Sequence, residues 1–360
     1  MATPRFTVTY RIRSDATSIE ARAQAIAVEQ SVEMPVSAIA EAEILRDIVG
    51  RVEGIDPRGD DVFDVHIGLA TATVGEDAGQ FLNMLFGNSS LLEDVALVDV
   101  DVSADLVAAF GGPHHGIEGF RRRSGAYGRA LTCSALKPQG VTSARLAQLA
   151  GQFARGGIDF IKDDHGLADQ PYSPFAERVI EIASAAGTAR YVPSLSGDLD
   201  AMRRQIDIAL RHGIDTVMIA PMLAGWATMR TLVRQYPELA FFAHPTMGGA
   251  ARIIPDLLIG KLFRLLGADA VIFPNYGGRF GYSPATCRRL GDRARRMWDG
   301  VRPSLPVPAG GMTLERVPEM LDFYGPDAML LIGGSLLAAR ERLTEETAAF
   351  TRAVARHSYR

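Results

Sequence analysis

The chain has 360 residues, 47% of them apolar and 22% charged, a balance that excludes a disordered protein or a small stapled domain and fits two domains or one barrel with a companion. Lysine and arginine number 38 against 42 acidic residues, a formal net charge of -4, so no positive field draws in nucleic acid nonspecifically. Two distant cysteines, Cys133 and Cys287, give no disulfide framework and no zinc spacing, and no apolar run has signal-peptide or membrane-spanning character, so a soluble, cytoplasmic protein without a membrane partner is expected.

FTVTYRI (6–12) predicts a strand, SIEARAQAIAVEQ (18–30) a helix, DVFDVHIGLAT (61–71) a strand, GQFLNMLFG (79–87) a helix and ALVDVDVS (96–103) a strand. Together they predict an α+β domain over residues 1–125. GGPHHG (111–116) and the basic FRRRSG (120–125) mark the junction, because proline and paired glycines break both kinds of element.

Residues 126–360 repeat a beat of apolar runs and amphipathic stretches. The runs are TCSALKP (132–138), DFIKDD (159–164), RYVPSLS (190–196), DTVMIAP (215–221), LAFFAHP (239–245), DAVIFPN (269–275), LPVPAGG (305–311) and AMLLIGG (328–334). Their spacing of roughly 23 to 36 residues is what a strand, a crossover helix and two short loops occupy. Near-continuous apolarity suits strands buried on both faces of a parallel sheet. Eight such units predict an α/β fold, a (β/α)₈ barrel, rather than an open doubly wound sheet, whose glycine fingerprint is missing.

Barrel chemistry sits where strands end. There the first barrel strand delivers Lys137, the second Lys162, Asp163, Asp164 and His165, the fifth His244 and the sixth Asn275. Lys-Asp-Asp-His in a row is costly unless it meets a metal or a substrate, and Asp with His can ligate a divalent ion; a solvated strand end with local salt bridges is the other reading. Gly310-Gly311 and Gly333-Gly334 close the last two strands, where barrels hold phosphate on backbone N–H groups; each pair alone is equally a tight turn. Lys137 and His244 are the candidate proton carriers. The arginines between 288 and 296 read as a solvated helix face.

ARGGIDFIKDDHGLADQPYSPFAERV resembles the metal segment of ribulose bisphosphate carboxylase (RuBisCO), and AVEQS (27–31), LFGNSS (85–90), GGPHHGIEGF (111–120), YGRAL and LKPQG (127–140), HPTMGG (244–249), PVPAGGM (306–312) and YGPDAMLLIGG (324–334) follow in the family's order. The resemblance implies a ferredoxin-like N-terminal domain, a TIM barrel and a homodimer with active sites at the subunit interface. It implies that Lys162, carbamylated by CO₂, binds Mg²⁺ with Asp164 and with His165, which stands where the family has Glu. Lys137 matches the enolising lysine, Glu29 and Asn88 match polar residues given by the partner subunit, and Gly311, Gly333 and Gly334 match one phosphate site.

The departures are equally informative. Gln139 replaces a second strand-end lysine, Pro245 an arginine, Pro274-Asn275 a histidine and Ala309 a serine, and the mobile-loop lysine is lost around Gly281. The groups that grip a second phosphate and orient CO₂ are gone together, so ribulose bisphosphate carboxylation is not expected. The pattern is similar to the non-carboxylating RuBisCO-like proteins. It implies Mg²⁺-dependent enolisation of a phosphorylated ketose, foremost isomerisation of 5-methylthioribulose-1-phosphate in methionine salvage. The alternatives are an oxo-isoapionate phosphate decarboxylase or transcarboxylase, a diketo-methylthiopentyl-phosphate enolase and a non-catalytic metabolite sensor.

Overall fold

The computed structural model describes residues 3–359. Four strands, β1 (Arg5–Arg13), β2 (Arg51–Gly59), β3 (Val62–Ala70) and β4 (Val95–Asp101), form an antiparallel sheet in the order β2-β3-β1-β4. With the helices Ile19–Glu29 and Ala78–Phe86 this is a βαββαβ unit of ferredoxin-like type. Alternation on β1 buries Phe6, Val8, Tyr10 and Ile12 on one face. Strand β2, RVEGIDPRG, carries no strand signal in the sequence because its Gly and Pro suppress the alternation and none of its residues is fully buried; pairing with β3 orders it, and only Val52 and Ile55 pack against the core.

The eight remaining strands are those expected: β5 (Leu131–Leu136), β6 (Phe160–Asp163), β7 (Arg190–Val192), β8 (Thr216–Ile219), β9 (Ala240–Ala243), β10 (Ala270–Pro274), β11 (Leu305–Ala309) and β12 (Met329–Leu331). They pair in parallel in the order β7-β6-β5-β12-β11-β10-β9-β8, and a Ser194–Met218 bridge joins the two ends of the ring. Residues such as Cys133, Phe160, Val192, Met218, Phe242, Ile272, Val307 and Met329 fill the interior, while the neighbouring positions on each strand face the helices. Side-chain caps begin some of the helices, whereas Ile19–Glu29 and Phe175–Ala185 have none. Asp198 accepts from the Ala201 amide at 2.7 Å ahead of the helix Leu199–Arg211. Asp198→Ala is expected to cost about 1 kcal/mol of unfolding free energy, read by denaturant titration.

The basic segment expected to be a breaker is instead a helix, Gly116–Ser124. Its N-terminal amides at His115 and Gly116 each donate to Asp269 Oδ1 at 2.7 Å, and Arg121 donates to the Pro326 carbonyl at 3.0 Å, so tertiary partners override the local signals. Phe120 enters the barrel base, with ring centroids 5.6 Å from Phe160 and 5.1 Å from Phe242. Nor are all the arginines of the helix Pro284–Arg295 solvated: Arg293 pairs with Asp99 of β4 and with Asp256. A parallel bridge between Leu97 and Ile253 also ties the antiparallel sheet to the barrel. No helix among the described residues is long and apolar enough to cross a membrane.

Candidate active site at the barrel mouth

Strand alternation sorts the Lys-Asp-Asp-His run. Lys162 and Asp164 share the inward face with Phe160, whereas Asp163 points into the helical layer. Register places Ala135 of β5 beside Lys162, so Lys137, two residues on, reaches Asp164: its Nζ lies 3.0 Å from Asp164 Oδ1. The same oxygen lies 3.4 Å from His165 Nδ1. The His165 ring stacks on His244, which extends β9, with centroids 4.6 Å apart and planes 9° from parallel. Five predicted residues therefore meet at one end of the barrel.

Burial decides their charge. Lys162 is fully enclosed, and desolvation pushes its amine below the ordinary lysine range, favouring the neutral form that can add to CO₂; Nζ donates to the Asp163 carbonyl at 2.6 Å. Burial alone would raise Asp164, but hydrogen bonds from His165 and Lys137 outweigh it and hold the carboxyl well below the usual range. His244 is pushed down to about 2, by burial first and then by Lys162 and His165, so its imidazole is neutral. His244 Nδ1 lies 2.6 Å from the Thr246 hydroxyl and accepts from the Thr246 amide at 3.3 Å, and a neutral ring that accepts there carries its proton on Nε2.

Among the described residues no group of three or more His, Cys, Asp or Glu side chains gathers as a metal site. Asp164 and His165 alone offer two donors. The set fits a hard divalent cation only if Lys162 carries a carbamate, which adds a third, oxygen donor.

Behind this layer Asp163 accepts from Arg178 Nε at 3.1 Å, the Tyr191 hydroxyl at 2.8 Å and the Ser194 amide at 3.1 Å, all buried. Periodicity alone could not reveal this anchor, because Arg178 looks like any polar residue of an amphipathic helix. The amide end of Gln139 lies over Gly166, so a Cβ there would push that side chain aside.

The paired glycines stand at the ends of β11 and β12, where the cradle is expected. Gly310 and Gly311 have φ of 81° and 65°, and a Cβ on Gly311 would stand 2.6 Å from the backbone of Gly278. Gly334 faces open space where a Cβ would be. Arg316, which carried no signal in the sequence, braces the loop by donating to the Gly311 carbonyl at 2.6 Å. Gly311→Ala is expected to raise KM for a phosphorylated substrate by about tenfold or more, measured by steady-state kinetics.

Glu29 and Asn88 lie apart from this cluster. Asn88 Nδ2 donates to Glu29 Oε1 at 2.9 Å and to Glu33 Oε1 at 3.1 Å on the ferredoxin-like unit, and neither residue bonds to Lys137, Asp164, His165 or His244. Asn275, expected at the mouth, turns outward: Tyr324 donates to its Oδ1 at 2.6 Å, and Pro274 takes the inward position. A separate cleft of about 810 Å³ lies between the antiparallel sheet and the helix Pro284–Arg295. Its arginines, Arg11, Arg58, Arg289 and Arg293, are each committed to Asp64, Asp99 or Asp256.

Residues 116–339 match the family described as ribulose bisphosphate carboxylase large chain, catalytic domain. The chain belongs to this family. It is 59% identical over 362 residues to a 5-methylthioribulose-1-phosphate isomerase of Rhodospirillum rubrum, covering 98% of this chain and 97% of that one. It is 55% identical to ribulose bisphosphate carboxylase-like protein 1 of Rhodopseudomonas palustris, covering 98% of each. The crystal structure of a Rubisco-like protein from Rhodopseudomonas palustris superposes with a TM-score of 0.92 at 49% identity, covering 99% of both chains. The likeness places this member of the RuBisCO family among the RuBisCO-like proteins.

Proposed function

We propose that the protein isomerises 5-methylthioribulose-1-phosphate in methionine salvage. The observation that carries this reading is the 59% identity, across nearly the whole of both chains, to the Rhodospirillum rubrum isomerase. The clustering of Lys137, Asp164, His165 and His244, in a barrel whose β11 and β12 end in paired glycines, supports it.

Lys137 carries the proton: its amine takes it from the carbon next to the carbonyl, leaving an enediolate, and its return at another carbon yields the isomer. His244, neutral with its proton on Nε2, donates toward the oxygen on which negative charge grows. The backbone N–H groups of Gly311, Gly333 and Gly334 hold the phosphate. Mg²⁺ is the proposed cofactor, held by Asp164, His165 and carbamylated Lys162; when bound it supplies positive charge that stabilises the developing oxyanion. The working unit proposed is a homodimer, in which a second copy of the chain brings Glu29 and Asn88 to the mouth. Ribulose bisphosphate carboxylation is not its reaction, for the inward Pro274 and Ala309 offer nothing to grip a second phosphate.

The purified protein, given 5-methylthioribulose-1-phosphate and Mg²⁺ in D₂O, is expected to form an isomer and to take up deuterium at carbon. Neither isomer nor exchange would overturn the reading.

A further inference from the structure

The loops that follow β10 and β11 are locked together at their roots. The Asn275 amide donates to the Ala309 carbonyl at 2.9 Å where the ladder between the two strands ends. Beyond it Gly278 lies against the glycine pair of β11: a Cβ on Gly278 would stand 3.3 Å from the Gly311 nitrogen, and one on Gly311 only 2.6 Å from the Gly278 Cα. Backbones in such close contact shift together, so whatever holds the start of the β10 loop also holds Gly311.

One side chain grips both. Arg316 ends the short turn Leu314–Arg316 that leads into the helix Val317–Tyr324, and its Nη1 donates to two carbonyls, that of Gly311 at 2.6 Å and that of Tyr276 at 3.3 Å. Its other edge, Nε and Nη2, donates to the two oxygens of Glu319 at 3.0 and 3.1 Å, the fork geometry that suits a guanidinium to a carboxylate. Glu319 Oε1 accepts from the Tyr276 hydroxyl as well, at 2.8 Å, so Tyr276 is tied at its backbone by Arg316 and at its ring tip by Glu319. The guanidinium also lies over that ring, 5.2 Å from its centroid. Each nitrogen of Arg316 is therefore engaged within the protein, and Glu319 matches its charge.

The glycine loop needs such a hold. Gly310 and Gly311 have left-handed backbones, and a peptide between glycines turns over readily because no Cβ stands in its way. A turned peptide presents a carbonyl oxygen where an amide stood, and an anion is repelled rather than held. A Gly311 carbonyl bonded to a guanidinium at 2.6 Å is not free to turn. We infer that Arg316 is a positioning residue for the substrate phosphate: clamped by Glu319, it holds the Gly311 and Tyr276 carbonyls so that the glycine loop keeps its amides for the anion. The inference rests on the reading above, in which these glycines hold the phosphate, and adds to it the side chain that sets their orientation.

Glu319 separates positioning from plain charge. Were Arg316 an electrostatic ligand of the phosphate, removing the carboxylate that neutralises it would tighten binding; a positioning residue that loses its clamp weakens it. The test measures the dissociation constant of inorganic phosphate by phosphorus NMR titration in the native protein, Arg316→Ala, Arg316→Lys and Glu319→Ala, with thermal midpoints to show that each is folded. Phosphate is expected to bind about tenfold more weakly to Arg316→Ala and about threefold or more weakly to Glu319→Ala. Arg316→Lys keeps the charge but lacks the fork, and should also bind about threefold or more weakly. With 5-methylthioribulose-1-phosphate the loss should fall on KM rather than on kcat, since Lys137 is untouched. Tighter binding in Glu319→Ala, or binding within about twofold of native in any of the three variants, overturns the inference. Failure of the native protein to bind phosphate overturns it too. If Arg316→Ala does not fold, the sign of the change in Glu319→Ala decides. A native protein that binds phosphate, loses it in this pattern and yet does not turn over the ketose phosphate keeps the positioning role and overturns the isomerase reading alone.

Discussion

Lys137→Ala is expected to lower kcat by about 10³-fold, the usual worth of a positioned acid–base group, and to abolish deuterium uptake in the same proportion. KM should move little, because in the proposed site the phosphate rests on the backbone of Gly311, Gly333 and Gly334 rather than on Lys137. Lys137→Arg should not rescue turnover: a guanidinium keeps its proton at working pH, so it can pair with Asp164 but cannot act as a base. The two variants separate the roles of the lysine, since it is also 3.0 Å from Asp164 and helps keep that carboxyl ionised. Retention of isotope exchange within tenfold of native in Lys137→Ala would assign the proton to another group.

The second large effect lies behind the site. Asp163→Ala should lower the unfolding free energy by about 3–5 kcal/mol, because it strands Arg178, a guanidinium with no exposure, without its carboxylate. Tyr191→Phe removes one of the hydrogen bonds to the same carboxylate and should cost about 1 kcal/mol. Denaturant midpoints read both. Activity should suffer even in the milder variant, since the backbone of Asp163 joins Lys162 to Asp164, and a small rotation there displaces both. If Asp163→Ala were as stable as native, the buried pair would not be anchoring the strand.

Much of this molecule was legible in its sequence, for identifiable reasons. The eight barrel strands are buried on both faces and so read as apolar runs, and each ended within a few residues of its expected place. The strand-end cluster was legible because charge at the end of such a run is costly to desolvate unless a ligand or a counter-charge meets it. What escaped depends on partners distant in sequence. β2 has no fully buried residue and borrows its order from β3. The helix Gly116–Ser124 follows a proline and paired glycines, and it is fixed by Asp269, a residue about 150 positions away. Asn275 was expected at the mouth because it is polar and ends a strand. The period of two settles the matter once the register is known: Ala270, Ile272 and Pro274 face inward, hence Asn275 faces outward. Arg316 and Thr246, which brace the glycine loop and fix the His244 tautomer, lie on loops and helix starts where no periodicity singles them out.

The aromatic stopper at the base of the barrel has a kinetic meaning. Phe120, Phe160 and Phe242 close the N-terminal end, and further layers of side chains fill the interior above them. The barrel is thus a blind well with a single opening. Whatever enters must leave by the route it came, so product still in the mouth bars the next substrate, and product inhibition should be competitive.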